Sequence, residues 1–479
     1  MPSAHHSPQP PDKRAGSRSP LCGFGPEHSV KGESPPGTGM RRLFADGFVS
    51  ALAHGRPSRG HARVQVEQQL KDARKVLRNG LCAVCREHAA TERRWLSFFV
   101  SESHDEEGMR TRVRNATGFC PAHTRRLLAG SSASWLMPQV VDLALQGAEG
   151  ALVAGEPYSP ARCPACDAGR EAVGRTLDTL TSAYQHAGVR EAVEQGALCL
   201  PHTALLIPRL AHDAATHLAG ATAESCGTSD RWTATGLGGD DPDAGAREAD
   251  HVRLDALLRE GIDPLGPVTG RRADRTRRTS CPSCLAAHLG VRRLLRWHGD
   301  SIGDGGPAGH ELALCGSHLH DLLRLDGPNT RAVVAHNLTS WQERLTRYSD
   351  AGATTKHGEA SPSLLTSPRC RACAEAQIME TREAALLAAL LRDPVHTRAY
   401  EHAHGLCAHH ALLHRDTTPT TARRVLSARL SLLHWENDET LRRQDWRTRH
   451  ETGHPTTPAW CRAPATLDGR VHSGMPPPP

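Results

Sequence analysis

Cys82-Ala-Val-Cys85 and, 34 residues further on, Gly118-Phe-Cys120-Pro-Ala-His123 form a C-x2-C, C-x2-H constellation that the chain then repeats. Cys163-Pro-Ala-Cys166 is followed by Gly196-Ala-Leu-Cys199-Leu-Pro-His202, and Cys281-Pro-Ser-Cys284 by Cys315-Gly-Ser-His318. Cys370-Arg-Ala-Cys373 is followed by Gly405-Leu-Cys407-Ala-His-His410. Each gap between doublets is 30 to 34 residues, and twelve of the 15 cysteines are consumed, which is the arithmetic of a metal site rather than of scattered core cysteines. Taken in chain order, the ligand sets are Cys82, Cys85, Cys120 and His123 for module one and Cys163, Cys166, Cys199 and His202 for module two. Module three takes Cys281, Cys284, Cys315 and His318, and module four takes Cys370, Cys373, Cys407 and His410.

Three thiolates and an imidazole suit zinc, a borderline-soft ion that takes four ligands tetrahedrally, so about four Zn2+ per chain are expected, with an iron-sulfur cluster as the alternative. A two-residue spacer lets both ligands of a doublet point into one site from a single turn. With each doublet at the start of a helix, the partial positive charge there favours thiolate over thiol. His88 makes an extra C-x2-H with Cys85, and His409 lies beside His410, but the repeat register favours His123 and His410. His104, His298, His310, His402 and His404 are read as surface residues. Cys22, Cys226 and Cys461 are left over, in stretches that read as tails or a linker.

Composition explains why metal would be needed. The 479 residues are 38% hydrophobic and only 4% aromatic, with 43 Gly and 33 Pro, so a single large core is excluded and any core must rest on Leu, Val and Ala. Structural zinc contributes roughly 10 to 16 kcal/mol in small fingers, comparable with the whole stability of a domain at about 5 to 15 kcal/mol. The most apolar stretch, from Trp135 to Gly155, is interrupted by Pro138, Asp142 and Glu149, so no membrane partner is expected. The first residues lack the apolar core of a secretory signal, and the expected compartment is the cytoplasm, where cysteines stay reduced.

Between and after the doublets the pattern is helical. Apolar residues recur at helical spacing over 173–180, 291–297, 331–348, 384–391 and 421–435, and no alternating strand pattern is found. Amphipathic helices are expected from 62 to 78, stopped by Gly80, and from 246 to 260, stopped by Gly261, ahead of modules one and three. The expected fold class is all-α, built of tandem zinc-stapled helical modules, four Cys3His repeats with disordered termini. The expected organisation is a disordered tail over 1–61, a helix plus module one over 62–155, and module two over 156–225. A linker over 226–245, a helix plus module three over 246–352, a short linker plus module four over 353–447, and a disordered tail over 448–479 follow.

The arrangement C-P-x-C, helix, G-F-C-x-x-H and Leu-Leu resembles an uncharacterised prokaryotic family, a domain of unknown function with two such halves in about 200 residues. Gly118 to His123 and Cys163 to Cys166 match it, and the resemblance covers roughly 62–350 and 365–447, as two tandem copies. Module three departs by lacking Gly before Cys315, and module four by having Arg371 in place of Pro. The resemblance implies zinc-type sites and no activity.

Four closed quartets leave no open coordination position, which catalytic zinc requires, so the leading functional expectation is a non-enzymatic scaffold or protein-interaction module with an unidentified protein partner. A nucleic-acid partner is the second reading, prompted by a net charge of +6 and the basic run Arg271, Arg272, Arg275, Arg277 and Arg278. Each metal with three thiolates adds about −1, which takes the charge to roughly +2 and weakens that reading. Thiol redox chemistry or zinc-release sensing is the third, because Cys163-Pro-Ala-Cys166 and Cys281-Pro-Ser-Cys284 resemble oxidoreductase pairs, though no βαβ context accompanies them.

Overall fold

A computed structural model describes residues 82–130, 132–154, 163–228, 281–300, 312–325, 327–354, 362–365, 370–448, 450 and 458–468, with Gln68, Lys71, Ala73 and Leu77 ahead of them. The expected tail 1–61, the helix 246–260, the run Arg271 to Ser280 and nearly all of the linker 226–245 lie outside the described residues. Every regular element among the described residues is helical; the periodicities over 173–180, 291–297, 331–348 and 421–435 fall inside helices, that over 384–391 ends one residue past its helix, and of the expected helix 62–78 only Gln68, Lys71, Ala73 and Leu77 are described.

The eight Cys doublets explain where helices begin. In each doublet the carbonyl of the first cysteine accepts the opening helical hydrogen bond, at 2.9–3.0 Å, from the amide four residues on, as in Arg86 to Cys82 and Ala411 to Cys407. The first half begins with α1 (Ala83–Phe98), then α2 (Glu107–Asn115), α3 (Pro121–Leu128) and the long α4 (Ala133–Ala154), of which α1 and α3 start at Cys doublets. It continues with α5 (Pro164–Ala183), the short α6 (Ala187–Ala192), α7 (Leu200–Leu206) and the long α8 (His212–Thr228). Proline in the first turn of α3, α5 and α7 supplies a helical φ where no donor is needed.

The second half repeats the scheme. α9 (Pro282–Asp300) and α10 (Gly316–Leu325) lead into the long α11 (Thr330–Thr354). α12 (Arg371–Leu390), α13 (Pro394–His402) and α14 (Ala408–Leu413) lead into the long α15 (Thr420–Gln444). Three of the C-x2-H doublets are entered through a left-handed glycine, Gly118 (φ 99°), Gly196 (φ 91°) and Gly405 (φ 71°). The third lacks one. There Asn337 of α11 clamps the approach, accepting from Leu314 N at 3.1 Å and donating to Leu312 O at 3.0 Å.

The long helices lock the halves together. α8 packs against α11, where His212 Nε2 meets Gly352 O at 3.1 Å and Ser349 Oγ donates to Thr216 O at 3.3 Å. α4 packs against α15, where Asn437 Nδ2 donates to Pro138 O at 2.7 Å and Gln444 Nε2 to Trp135 O at 3.3 Å. In both seams the partner numbers fall as one helix is ascended, so the helices run antiparallel. The helix that follows the first C-x2-H of one half thus meets the helix that follows the second C-x2-H of the other, twice over, as in a two-fold dimer closed within one chain.

Both hydrophobic cores therefore draw on both halves. One joins Val173, Leu177 and Leu180 with Leu206, Leu218, Leu295, Leu322 and Leu345. The other joins Val113, Val140 and Leu145 with Leu406, Leu426 and Leu430. Aromatics are few but clustered, Trp95 stacking on Phe99 at 5.6 Å and Phe119 edge-on to Phe99 at 5.2 Å.

The C-terminal stretch differs from expectation. Within the stretch expected to be a tail, Ala459–Asp468 form a helix, α16, that places Ala459 and Ala463 in the second core against α4 and α15 and also buries Cys461. Cys226, read as the start of a linker, is buried in the last turns of α8.

Candidate metal centres

The sixteen ligand candidates converge into four Cys3His groups, within each of which the ligand atoms lie inside 4.8 Å of one another. Centre I is Cys82, Cys85, Cys199 and His202; centre II is Cys120, His123, Cys163 and Cys166. Centre III is Cys281, Cys284, Cys407 and His410; centre IV is Cys315, His318, Cys370 and Cys373. The module assignments made in chain order are thereby corrected. No C-x2-C shares a centre with the C-x2-H that follows it next in sequence. Instead the first and last doublets of each half meet, and the inner two meet.

Helix length dictates this exchange. α1 has 16 residues and α9 has 19, about 24 and 28 Å of rise, so the chain leaves its first Cys pair and reaches the next doublet at the far end of the helix. The pair waiting there is the one that opens the neighbouring antiparallel helix, α5 beside α1 and α12 beside α9. The register shows at Gly169 of α5, where an added Cβ would come within 2.7 Å of His88 and 3.0 Å of Glu92. Only a hydrogen there lets the two helices approach.

The distances are those of a tetrahedral site. Ligands at about 2.3 Å (sulfur) and 2.0–2.1 Å (nitrogen) on a tetrahedron put sulfurs about 3.8 Å apart and sulfur about 3.6 Å from nitrogen. Observed Sγ to Sγ separations are 3.9, 3.7 and 3.9 Å for Cys85–Cys199, Cys120–Cys166 and Cys315–Cys373. Sγ to histidine separations run from 3.1 Å (Cys199–His202) to 3.7 Å (Cys281–His410). In all four centres the histidine turns Nδ1 to the sulfurs. His88 and His409 belong to no centre. Among the histidines read as surface residues, His402 is exposed, His104, His298 and His404 are half-buried, and His310 lies outside the described residues.

The electrostatics call for a cation. Hydrogen bonds from Cys199 and Cys85 drive the Cys82 thiol far down against the opposing effect of burial, and those from Cys315 and Cys373 do the same to Cys370. Burial works to lower His123, yet its hydrogen bonds with Cys120, Cys163 and Glu92 push it up to about 12. His410 is likewise held well above its ordinary value by Cys407 and Cys281, against burial. The same neighbours push Cys199 and Cys166 up while Cys82 and Cys163 go down, so the sulfurs of a centre cannot all ionise without positive charge among them, which a divalent ion could supply. The residues present fit such a group, and four Cys3His groups could each hold a metal ion.

Two buried carboxylates, absent from the motif reading, face these histidines from outside. Glu92 Oε2 lies 3.4 Å from His123 Nε2 and accepts from Arg126 Nη1 at 3.2 Å. Burial opposes ionisation of Glu92, but the hydrogen bond and charge of His123, with His88 and Arg126, together outweigh it and hold the carboxyl below the usual range. Glu380 Oε1 lies 3.4 Å from His410 Nε2. The signal available in sequence was position: each Glu stands ten residues after the first Cys of its helix, Cys82 and Cys370. α16 also reaches a centre, with the Cys284 thiol 3.5 Å from Asp468 O.

Asp142, His434 and Asp438 form a further cluster of ligating types. His434 there bridges Asp142 and Glu149 through both ring nitrogens, each at 3.0 Å. Two carboxylate acceptors require two N–H donors, so this ring is an imidazolium tie between α4 and α15 rather than a metal ligand.

No helix among the described residues is long and apolar enough to cross a membrane. None of the family models, curated proteins or solved structures compared with the chain matches it.

Proposed function

We propose that the protein is a non-enzymatic, zinc-stapled helical scaffold whose four Cys3His centres each hold Zn2+ as a structural ion. The observation that carries this reading is the quartet geometry, with sulfur and Nδ1 spacings that fit one small tetrahedral ion in each centre. With four protein ligands per ion, no position is left for water or substrate, so the metal holds helices and does no chemistry. It supplies the linkage that a Leu and Ala core with few aromatics lacks. The likeness to prokaryotic C-P-x-C and G-F-C-x-x-H modules agrees with the zinc reading and adds no activity.

A protein partner suits the surface. Leu432 and Trp435 stand exposed three residues apart on α15, with Trp446 beyond them, and Ile378 and Leu386 are exposed on α12. Zinc-release sensing is a second reading, favoured by the partial exposure of Cys120, Cys163 and Cys166 in centre II and of Cys315 and Cys373 in centre IV. Far-UV circular dichroism during chelation tests the scaffold reading. Helicity that collapses as metal leaves and returns on adding Zn2+ supports it, whereas helicity unchanged in the metal-free chain refutes it.

A further inference from the structure

Glu92 and Glu380 are among the few buried carboxylates of the described residues, 5% and 6% exposed. Neither serves the centre at the start of its own helix. Glu92 stands on α1, whose Cys82 and Cys85 belong to centre I, and faces His123 of centre II. Glu380 stands on α12, whose Cys370 and Cys373 belong to centre IV, and faces His410 of centre III. The two occupy the same place in the repeat, ten residues after the first Cys of the helix, which on α5 and α9 is held by Val173 and Val291. A buried carboxylate opposite histidine Nε2 thus occurs once in each half, on α1 in the first and on α12 in the second.

Burying a carboxylate is costly unless it is paired; Glu92 accepts from Arg126 beside His123, and Glu380 stands 3.4 Å from a His410 Nε2 that has no hydrogen-bond partner among the described residues. An imidazole that turns Nδ1 to the thiolates carries its proton on Nε2, and a carboxylate there fixes the tautomer, orients the ring and makes Nδ1 a better donor. We infer that Glu92 and Glu380 are positioning residues for the metal ions of centres II and III, and that through them the two centres of each half are coupled. This rests on the metal-binding reading above. Each carboxylate is delivered by a helix anchored at the other centre of its half, so loss of that anchor misplaces it. By linkage the effect is reciprocal: centre I strengthens centre II and is strengthened by it, and centres III and IV are paired in the same way. The four ions are therefore not equivalent. Centre III combines buried ligands with a carboxylate, whereas in centre IV, with more exposed ligands, no carboxylate occupies the corresponding place.

The test uses the zinc-loaded full chain titrated with a chromogenic zinc chelator, in wild type, Glu92→Gln, Glu380→Gln and the surface control Glu439→Gln. Glu92→Gln and Glu380→Gln are expected to release the ion of centre II and of centre III, respectively, at about tenfold to hundredfold lower chelator activity, with the other ion of the same half loosened by less, the two ions of the other half unchanged and the control like wild type. The 15N resonance of His123 Nε2 is expected to move in Glu92→Gln alone, and that of His410 in Glu380→Gln alone. Four ions held with wild-type affinity in both variants overturn the inference while leaving the metal reading intact. Simultaneous loss of all four ions with loss of helicity also overturns it, because the carboxylates would then serve folding. A wild-type chain that takes up no zinc overturns the metal reading and this inference together.

Discussion

Replacing Cys85 with Ser separates the interlocked arrangement from the chain-order one in a single experiment. Cys85 is buried in centre I, where its sulfur lies 3.3 Å from His202 Nδ1 and 3.9 Å from Cys199 Sγ. A structural zinc site is worth roughly 10 to 16 kcal/mol, and removing one of four ligands forfeits about a quarter of it, about 3 to 4 kcal/mol. That is a weakening of about 10²- to 10³-fold at one centre. The ligands left behind are Cys82, Cys199 and His202, so pulse alkylation with mass spectrometry should find Cys199 reacting faster by that order. Cys199 is 2% exposed, so its labelling reports opening of the centre rather than surface access. Cys120, held in centre II by His123, Cys163 and Cys166, should change by about tenfold at most, through the Glu92 coupling. If Cys120 becomes the reactive thiol and Cys199 stays protected, the doublets pair in chain order and the antiparallel argument is refuted.

Further substitutions test the packing and the seams. A Cβ at Gly147 of α4 would lie 2.1 Å from the backbone carbonyl of Arg114, so Gly147→Ala should destabilise by about 1–3 kcal/mol despite a better helix former, seen as a lower midpoint in thermal unfolding. Gly150, three residues on, has nothing within 4 Å, and Gly150→Ala should raise the same midpoint, with a gain of at most about 1 kcal/mol. Leu218 of α8 and Leu430 of α15 are fully buried in the two cores, and either one changed to Ala should cost about 2–5 kcal/mol in chemical denaturation. Burial works to lower the pKa of His434, but its hydrogen bond with Glu149 and the charges of Asp438 and Asp142 raise it overall. Its contribution is therefore complete below the ordinary histidine value near 6.5 and is lost as pH rises through the raised value. Stability of the zinc-loaded chain should fall across that window in wild type and stay flatter in His434→Gln.

The ligand types, the helical class and the opening of helices at Cys doublets were legible because spacing and propensity are local. The pairing was not. It depends on α1 and α9 being straight helices of 16 and 19 residues that carry the chain away from its first Cys pair. That length was in the helical pattern, but reading each doublet with its nearest neighbour hid its consequence. Glu92 and Glu380 were missed because their partners, His123 of α3 and His410 of α14, sit on other helices, so the shared place ten residues after the first Cys means nothing until the helices are packed. The helix at Ala459–Asp468 was missed because Pro, Gly and Thr around it outweighed a short apolar run whose burial comes mainly from α4 and α15, with α3 and α14 beside them. The union of the halves through α8 with α11 and α4 with α15 is equally non-local, since each of these helices reads alone as one more amphipathic segment.

The central claim is that all four centres are filled and hold the helices together. Elemental mass spectrometry of the full chain, purified without a histidine tag and normalised by amino-acid analysis, tests it most directly. The account predicts close to four zinc ions per chain, with the twelve cysteines of the four centres slow to alkylate until a chelator is added. Fewer than one metal ion per chain, with those cysteines freely alkylated in a fully helical protein, would contradict it.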